Sequence, residues 1–253
     1  MKISATIITF NEERNIRRCL ESLVPVADEI IVVDSFSKDN TENICKEFGV
    51  RFIQNPFGGH IEQKNFAIDQ ASYPWVLSLD ADEALDPQLT QSILELKKNN
   101  PSHKGYRFNR LTNYCGTWIR HSGWYPDTKV RLVLKSEARW MGVNPHDRLE
   151  VIDGSSTGFL VGDLLHYSYY TQEDHLKQIE FFSGIASKEL FKKNKKVSWP
   201  MIILKVIVQY FKNLILKVGF LDGRAGFTIA RLSAYATYRK YYKLMLLHRE
   251  NKS

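Results

Sequence analysis

Over the first hundred residues, apolar positions fall into short runs separated by stretches with helical spacing. Ile3–Thr9 is an apolar run short enough for a buried strand. Asn11 is placed to cap a helix running through Arg14, Ile16, Cys19, Leu20 and Leu23. Glu29–Val33 reads as a second strand ending at Asp34, and Asp39-Asn40-Thr41 opens a helix through Ile44 and Phe48 that stops at Gly49. A third strand, Arg51–Gln54, precedes a loop with Pro56, Gly58 and Gly59, then a helix from Ile61 to Ala71. The fourth strand, Trp75–Leu79, runs into Asp80-Ala81-Asp82-Glu83. Such β-α-β-α alternation predicts an α/β fold with a mainly parallel sheet and helices on its faces.

Past this region the regularity fades. Residues 105–170 read as mixed strands and loops rich in Trp, Tyr, Gly and His, and helical spacing returns from Glu173 onward. Pro200–Leu221 is strongly apolar, with Lys205, Gln209, Lys212, Asn213 and Lys217 tracing one narrow polar stripe. These patterns divide the chain into residues 1–172, with a ligand-binding half at 1–100 and a second half at 101–172, and a helical extension at 173–253.

Charge sharpens that division. The formal net charge is +7, yet residues 176–253 hold 16 Lys/Arg against 4 Asp/Glu, while residues 1–175 hold 19 against 24. A basic extension needs an anionic neighbour, either a nucleic acid or a membrane surface. Here the basic residues flank a long apolar face rather than interleaving with exposed aromatics, which favours the membrane and argues against nucleic acid. The polar stripe suits a helix lying in the bilayer interface with its lysines toward the headgroups, and Lys192, Lys193, Lys195 and Lys196 add attraction to anionic lipid. Cys19, Cys45 and Cys115 are too widely spaced for a zinc site and fit a reducing compartment. Met1-Lys2-Ile3-Ser4 runs directly into a strand pattern and does not read as a signal peptide.

Ligands of parallel α/β sheets bind beyond the carboxyl ends of the strands. That edge receives Asn11, Asp34, Asp80 and Asp82, each just after a strand. Asp80-Ala81-Asp82 is a DxD element whose carboxylates could reach a ribose hydroxyl and a divalent metal on one side of a turn. A diphosphate leaving group develops negative charge, which Mg²⁺ or Mn²⁺ stabilises. The structural alternative is that Asp82 and Glu83 merely begin a helix, where acids suit the dipole.

The first ninety residues resemble glycosyltransferase family 2 in Ile7-Ile8-Thr9-Phe10-Asn11-Glu12-Glu13, in Val32-Val33-Asp34-Ser35-Phe36-Ser37-Lys38-Asp39-Asn40-Thr41 and in Leu79-Asp80-Ala81-Asp82. The resemblance implies a GT-A fold with a nucleotide-sugar site along Thr9, Phe10, Asn11, Glu12, Asp34, Lys64, Asp80, Ala81 and Asp82. In that site Phe10 and Asp34 would hold the base, Lys64 would lie near base or phosphate, Asp80 near the ribose and Asp82 at the metal. Many members carry a second Asp where this chain has Ser35. Gly123-Trp124-Tyr125-Pro126-Asp127, Leu165-His166-Tyr167-Ser168-Tyr169 and Phe220-Leu221-Asp222-Gly223-Arg224-Ala225-Gly226 are similar to a bacterial subgroup of lipopolysaccharide core β-1,4-glucosyltransferases acting on heptose. The subgroup implies an inverting hexosyltransferase with a UDP-sugar donor and a cell-envelope glycan acceptor; the basic apolar extension would keep it peripheral at the inner face of the cytoplasmic membrane.

Inversion requires a base for the acceptor hydroxyl. Asp147, in Asn144-Pro145-His146-Asp147-Arg148, stands where the subgroup usually has His-Glu, one methylene shorter; the alternative is a loop carboxylate paired with Arg148. His166 reads either as a hydrogen-bonded core histidine or, by the resemblance, as a metal or diphosphate ligand. Trp124 and Tyr125, with Arg120 and His121 and the neighbouring Trp118, could form an acceptor platform, since aromatic faces stack on sugars and cations hold anionic substituents; core packing is the other reading for Trp118. A sugar nucleotidyltransferase would share the α/β fold and metal but normally needs a glycine-rich basic loop where this chain has Thr9-Phe10-Asn11-Glu12-Glu13-Arg14. A non-catalytic membrane-surface protein is the remaining alternative.

Overall fold

The computed structural model describes residues 1–143 and 146–251, with only the backbone of His146. Asn144 and Pro145 of the Asn-Pro-His-Asp motif, and the side chain of His146, therefore lie outside the described residues. The elements follow the alternation closely at first: β1 Ile3–Thr9, α1 Ile16–Leu23, β2 Glu29–Asp34, α2 Thr41–Glu47, β3 Arg51–Gln54, α3 His60–Gln70 and β4 Trp75–Asp80. Then come β5 Glu83–Leu85, α4 Pro87–Lys98, β6 Gly105–Tyr114, β7 Thr117–Trp118, β8 Asp127–Leu134, β9 Ala138–Val143, β10 His146–Val151 and β11 Gly158–Tyr169. The chain ends in α5 Gln172–Lys192, α6 Trp199–Phe211, a π turn at Lys212–Leu216, a 3-10 turn at Gly219–Asp222 and α7 Gly223–Glu250.

The main sheet runs β3-β2-β1-β4-β8-β6-β11-β5, with β7 on β6, and β9-β10 form a separate ladder. Parallel pairing is confined to β3-β2-β1-β4, the strands joined by helical crossovers. The described pairings beyond β4 are antiparallel. This mixed sheet agrees with the α/β fold expected from the sequence, with its parallel part limited to the strands of residues 3–80. Alternate side chains of each parallel strand feed two cores. Val32, Leu77 and Leu79 pack with Ile16, Leu20, Leu89 and Ile93 of α1 and α4 on one face. Ile31, Val33 and Val76 pack with Ala67 and Ile68 of α3 on the other. Each fully buried Ile or Leu here contributes about 1.5–3 kcal/mol, which fixes the strands that carry the acids.

Two local expectations are corrected. The first helix starts at Ile16 rather than at an Asn11 cap, and Asn11 takes a left-handed conformation with φ 55°. Its backbone N–H and those of Glu12 and Glu13 donate instead to Ser37, Thr41 and Asp39 side chains. Asp82 and Glu83 do not begin a helix: Glu83–Leu85 is a strand paired with β11, and α4 starts at Pro87, capped by Asp86 accepting from the Leu89 N–H at 2.6 Å.

The chain divides into a unit of residues 1–111 and 127–167 and a second of residues 112–126 and 168–253. Residues 112–126, read from sequence with residues 1–172, thus group with the helices. Tyr114 and Ile119 pack with Ile179, Ile229 and Leu232, and the buried Asp222 carboxylate accepts from the backbone N–H groups of Arg120 and His121, each at 3.1 Å, and from Ser122 Oγ at 3.2 Å. Within this unit α5 opens with a Thr171/Asp174 capping box, and Glu180 takes a two-pronged contact from Arg239 of α7 at 2.6 and 2.8 Å.

The polar stripe of α6 does not face outward. Lys205 Nζ sits 5.3 Å from the centre of the Tyr241 ring of α7, Gln209 donates to Asn213 at 2.9 Å, and Ile202 and Asn213 are buried. Lys212 and Lys217 alone of the stripe are exposed.

A Cβ built on Gly226 would lie 1.7 Å from the Gly219 carbonyl oxygen, because the 3-10 turn folds back against the first turn of α7. Gly226→Ala is therefore expected to cost about 2 kcal/mol or more in urea unfolding. Gly184→Ala, with only Lys243 Nζ at 3.9 Å, should be neutral or gain about 0.5–1 kcal/mol, as Gly→Ala does within a helix. Equal effects at the two positions would contradict this account of the turn.

Candidate active site

Lys64 enters the first unit's interior from α3, and its side chain is only 6% exposed. Its ammonium lies 3.0 Å from Asp80 Oδ1 at the end of β4 and 2.8 Å from Asp147 Oδ2 on β10. It also rests 4.2 Å from the centre of the Trp140 ring. A buried ammonium needs such company, since an unpaired charge there is strongly disfavoured. Two residues 83 apart in sequence, Lys64 and Asp147, are thereby brought into direct contact.

Asp80 is held from the other side by Arg131 of β8, at 3.4 Å. Arg131 also reaches Glu83 Oε1 at 2.8 Å, lies 4.9 Å from the Trp140 ring and is itself buried. Glu83 is buried, accepts from the Asp80 N–H at 3.0 Å, and has Arg110 within 3.5 Å, which pairs in turn with Asp127 at 2.8 Å. Burial pushes the Asp80 carboxyl upward, but the Lys64 ammonium and the Arg131 guanidinium outweigh it and hold Asp80 well below the usual carboxylate range. Sequence reasoning missed Arg131, Glu83, Arg110 and Trp140. One signal was available: Arg131 interrupts the otherwise apolar run Val130–Leu134, and a charge inside a buried strand requires a partner.

Asp82 turns to a different neighbour. Its Oδ2 lies 3.2 Å from His166 Nε2, and its carbonyl accepts from the Tyr167 N–H at 2.9 Å. The pairing of β5 with β11 sets this meeting, placing His166 opposite Glu83, next to Asp82. A carboxylate oxygen and an imidazole nitrogen at this separation are within hydrogen-bonding distance, and no group of three or more His, Cys, Asp or Glu is gathered among the described residues. Such a pair fits Mg²⁺ or Mn²⁺ only with further oxygen ligands from a substrate, as is usual for these ions at phosphate sites. Ala81, between the two acids, is buried.

The loop beyond β1 is laced to the loop beyond β2. Asn11 Oδ1 accepts from the Lys38 N–H at 2.8 Å, and Glu13 accepts from the Asn40 N–H at 2.9 Å. Asp34 is fully buried and accepts from the Ser37 N–H at 2.8 Å and from Ser37 Oγ. In this state it shapes the loop. Phe10 is 55% exposed at the rim, and Thr9 Oγ1 is buried without a hydrogen-bond partner. Ser35, where many family members have Asp, accepts from Gln63 Nε2 at 3.1 Å.

Arg120, His121, Trp124 and Tyr125 belong to the second unit. Arg120 lies 5.4 Å from the Tyr125 ring centre, and His121 Nδ1 is 2.9 Å from Asp222. Trp124 is half-buried against Tyr114, Tyr169 and His175, with ring centres 5.6–6.0 Å away. Burial pushes the His175 imidazole down to about 4, so this aromatic cluster holds a neutral histidine at ordinary pH.

The family emerges once these contacts are in place. Residues 4–141 match the model of glycosyl transferase family 2, and the chain belongs to that family. It is 31% identical over 252 residues to an uncharacterized glycosyltransferase of Rickettsia typhi, spanning 96% of this chain and 86% of that one. It is 27% identical over 254 residues to the lipopolysaccharide core biosynthesis glycosyltransferase LpsC of Rhizobium meliloti, spanning 95% of this chain and 93% of that one. Among solved structures, S. aureus TarS 1–349 aligns over 99% of this chain and 92% of its own with a TM-score of 0.48 and 16% identity. Membership favours the transferase expectation over the nucleotidyltransferase and non-catalytic alternatives.

Glu12 stands out electrostatically. Burial drives its carboxyl up to about 7, opposed by a hydrogen bond from Asn15 and reinforced by the negative charges of Asp82, Asp39 and Asp80. A carboxyl whose folded value exceeds its unfolded 4.5 favours folding below that value and loses this contribution as pH rises through about 7. In chelator, Glu12→Gln should therefore gain stability relative to wild type between about pH 5 and pH 8. Urea unfolding across that range checks it, and parallel curves for the two proteins would contradict the shift.

Proposed function

We propose that this family 2 member is an inverting hexosyltransferase that moves a sugar from a nucleotide sugar, with UDP as the expected carrier, to a lipopolysaccharide-core or other cell-envelope glycan. The observation that carries this reading is the contact of Lys64 with both Asp80 and Asp147. It joins a strand-end acid of the nucleotide half to a carboxylate on a separate hairpin. The near-full-length similarity to LpsC supports the acceptor class.

In this mechanism Phe10 stacks on the base at the rim, and Asp34 hydrogen-bonds it by giving up one Ser37 contact. Thr9, Asn11, Glu12 and Ala81 line the nucleotide sugar, and Asp80 takes the ribose. Asp82 and His166 would hold a divalent metal. Bound there with the diphosphate, Mg²⁺ or Mn²⁺ supplies electrostatic stabilisation of the charge that develops on the leaving group. Lys64 neutralises Asp147 while the donor is absent. The diphosphate competes for that ammonium, and Asp147 is left to accept the proton of the acceptor hydroxyl. That oxygen bonds to the anomeric carbon as the bond to the diphosphate breaks on the opposite face, so configuration inverts. Arg120, His121, Trp124 and Tyr125 would bind the acceptor. The basic 173–253 extension would keep the enzyme peripheral at the inner, anionic face of the cytoplasmic membrane.

Nucleotide-sugar turnover tests both carboxylates. Asp82→Asn should keep the fold and lose most transfer, and chelator should do the same to wild type; full turnover in either case would remove the metal from the mechanism. Asp147→Asn should lower the rate about 10²-fold or more with donor affinity nearly unchanged. Parallel loss of donor binding would make Asp147 a donor ligand or a structural residue instead.

A further inference from the structure

Helix α6 is amphipathic the wrong way round for water. Its polar positions, Lys205, Gln209 and Asn213, lie along the side that contains buried Ile202 and meets α7. Its other side is apolar and exposed: Ile203, Leu204, Ile207, Val208 and Phe211, continued by Leu216 at the end of the π turn. Leu204 is 62% and Leu216 77% exposed. A contiguous apolar face of this kind marks a surface that is covered in use.

We infer that this outward face of α6 and the following π turn is embedded in the acyl boundary of an anionic lipid surface. The inference rests on the membrane-surface reading above and names the face that enters. Charge selects lipid over a second copy of the chain. Exposed Lys192, Lys193, Lys195 and Lys196 precede the helix, and exposed Lys212, Lys217 and Arg224 follow its apolar stretch. Cations outnumber acids sixteen to four over residues 176–253, and of those acids Glu180 is paired with Arg239 and Lys243, Glu189 with Lys192 and Asp222 with His121. Two such rims facing each other would repel, whereas anionic headgroups complement them. Trp199, half-exposed at the start of the helix, suits the headgroup level.

Residues 199–216 have a mean hydropathy of 1.3 over 18 residues, enough by length and composition to cross a bilayer. The partner helix excludes crossing as a pair. Tyr241 and Tyr242 of α7 lie against Lys205 and Trp199, and Arg239, Lys240 and Lys243 flank them. Crossing would drag those charges into hydrocarbon. The helix lies in the plane of the surface, apolar face down.

The test is sedimentation of the full chain with vesicles of phosphatidylcholine alone or with one-third phosphatidylglycerol, alongside circular dichroism and thermal melting. Wild type should bind the mixed vesicles and partly resist release by salt, because acyl contact is not screened. Leu204→Glu/Ile207→Glu and Leu216→Glu, all at exposed positions, should melt as wild type does and partition about ten-fold or more weakly. Lys192, Lys193, Lys195 and Lys196 changed together to Gln should weaken binding mainly at low salt. If the glutamate variants bind as wild type and only the lysine variant loses binding, attachment is electrostatic and the embedded face is wrong, while the membrane reading stands. If wild type ignores both vesicles, both readings fall; a dimer dispersed by Ile207→Glu would then assign the face to a second copy.

Discussion

Lys64 is the side chain on which the arrangement of the first unit turns. A buried ammonium between two carboxylates gains Coulomb energy only if both stay close, and losing either would leave charge stranded in a poorly solvated interior. That requirement ties α3, β4 and β10 together through Asp80 and Asp147. Arg131 imposes the same condition from β8, bridging Asp80 and the buried Glu83. Trp140 lies beneath both cations and covers them with a face to which cations are attracted. Buried ion pairs in proteins are often no more stabilising than well-packed apolar residues of similar volume. What the charges add is placement, fixing the acids to within hydrogen-bonding distance of one another.

Around that centre the sheet does the positioning. Parallel strands end at one edge, so the residues following β1, β2 and β4 arrive together without any of their loops being long. The loops are then stiffened by exchange. Backbone N–H groups of residues 11–13 are satisfied by side chains of residues 37–41, and the reverse donations come back from Lys38 and Asn40. This exchange holds Asn11 at positive φ and delays the first helix to Ile16. The antiparallel half contributes through register. Pairing β5 with β11 sets Asp82 beside His166, 84 positions along the chain.

The second unit joins an apolar core of Tyr114, Ile119, Ile179, Ile229 and Leu232 to the contacts of Asp222 and the α5–α7 ion pairs. One buried carboxylate gathers the backbone of Arg120 and His121, and close glycine contact lets the 3-10 turn seat on α7. The Leu-Asp-Gly-Arg-Ala-Gly motif is thus accounted for within this unit by packing. With its polar stripe against α7, α6 presents its apolar side outward.

The sequence by itself determined the elements of the first eighty residues, since alternating buried runs and helical spacing reflect local backbone geometry and one-sided burial. It also placed Asn11, Asp34, Asp80 and Asp82 at one edge, because parallel strands joined by crossovers must end together. It marked Lys64 and Asp147 only through resemblance to family 2. Their contact, the His166–Asp82 pair and the Arg131–Glu83 bridge were decided by tertiary structure. Each depends on the register of strands far apart in the chain, about which local periodicity says nothing. The α6 stripe makes the same point from the other side. Periodicity showed that one side was polar and one apolar; which side turned inward was settled by α7, whose Tyr241 ring receives Lys205, a choice set by the shape and chemistry of the neighbouring helix.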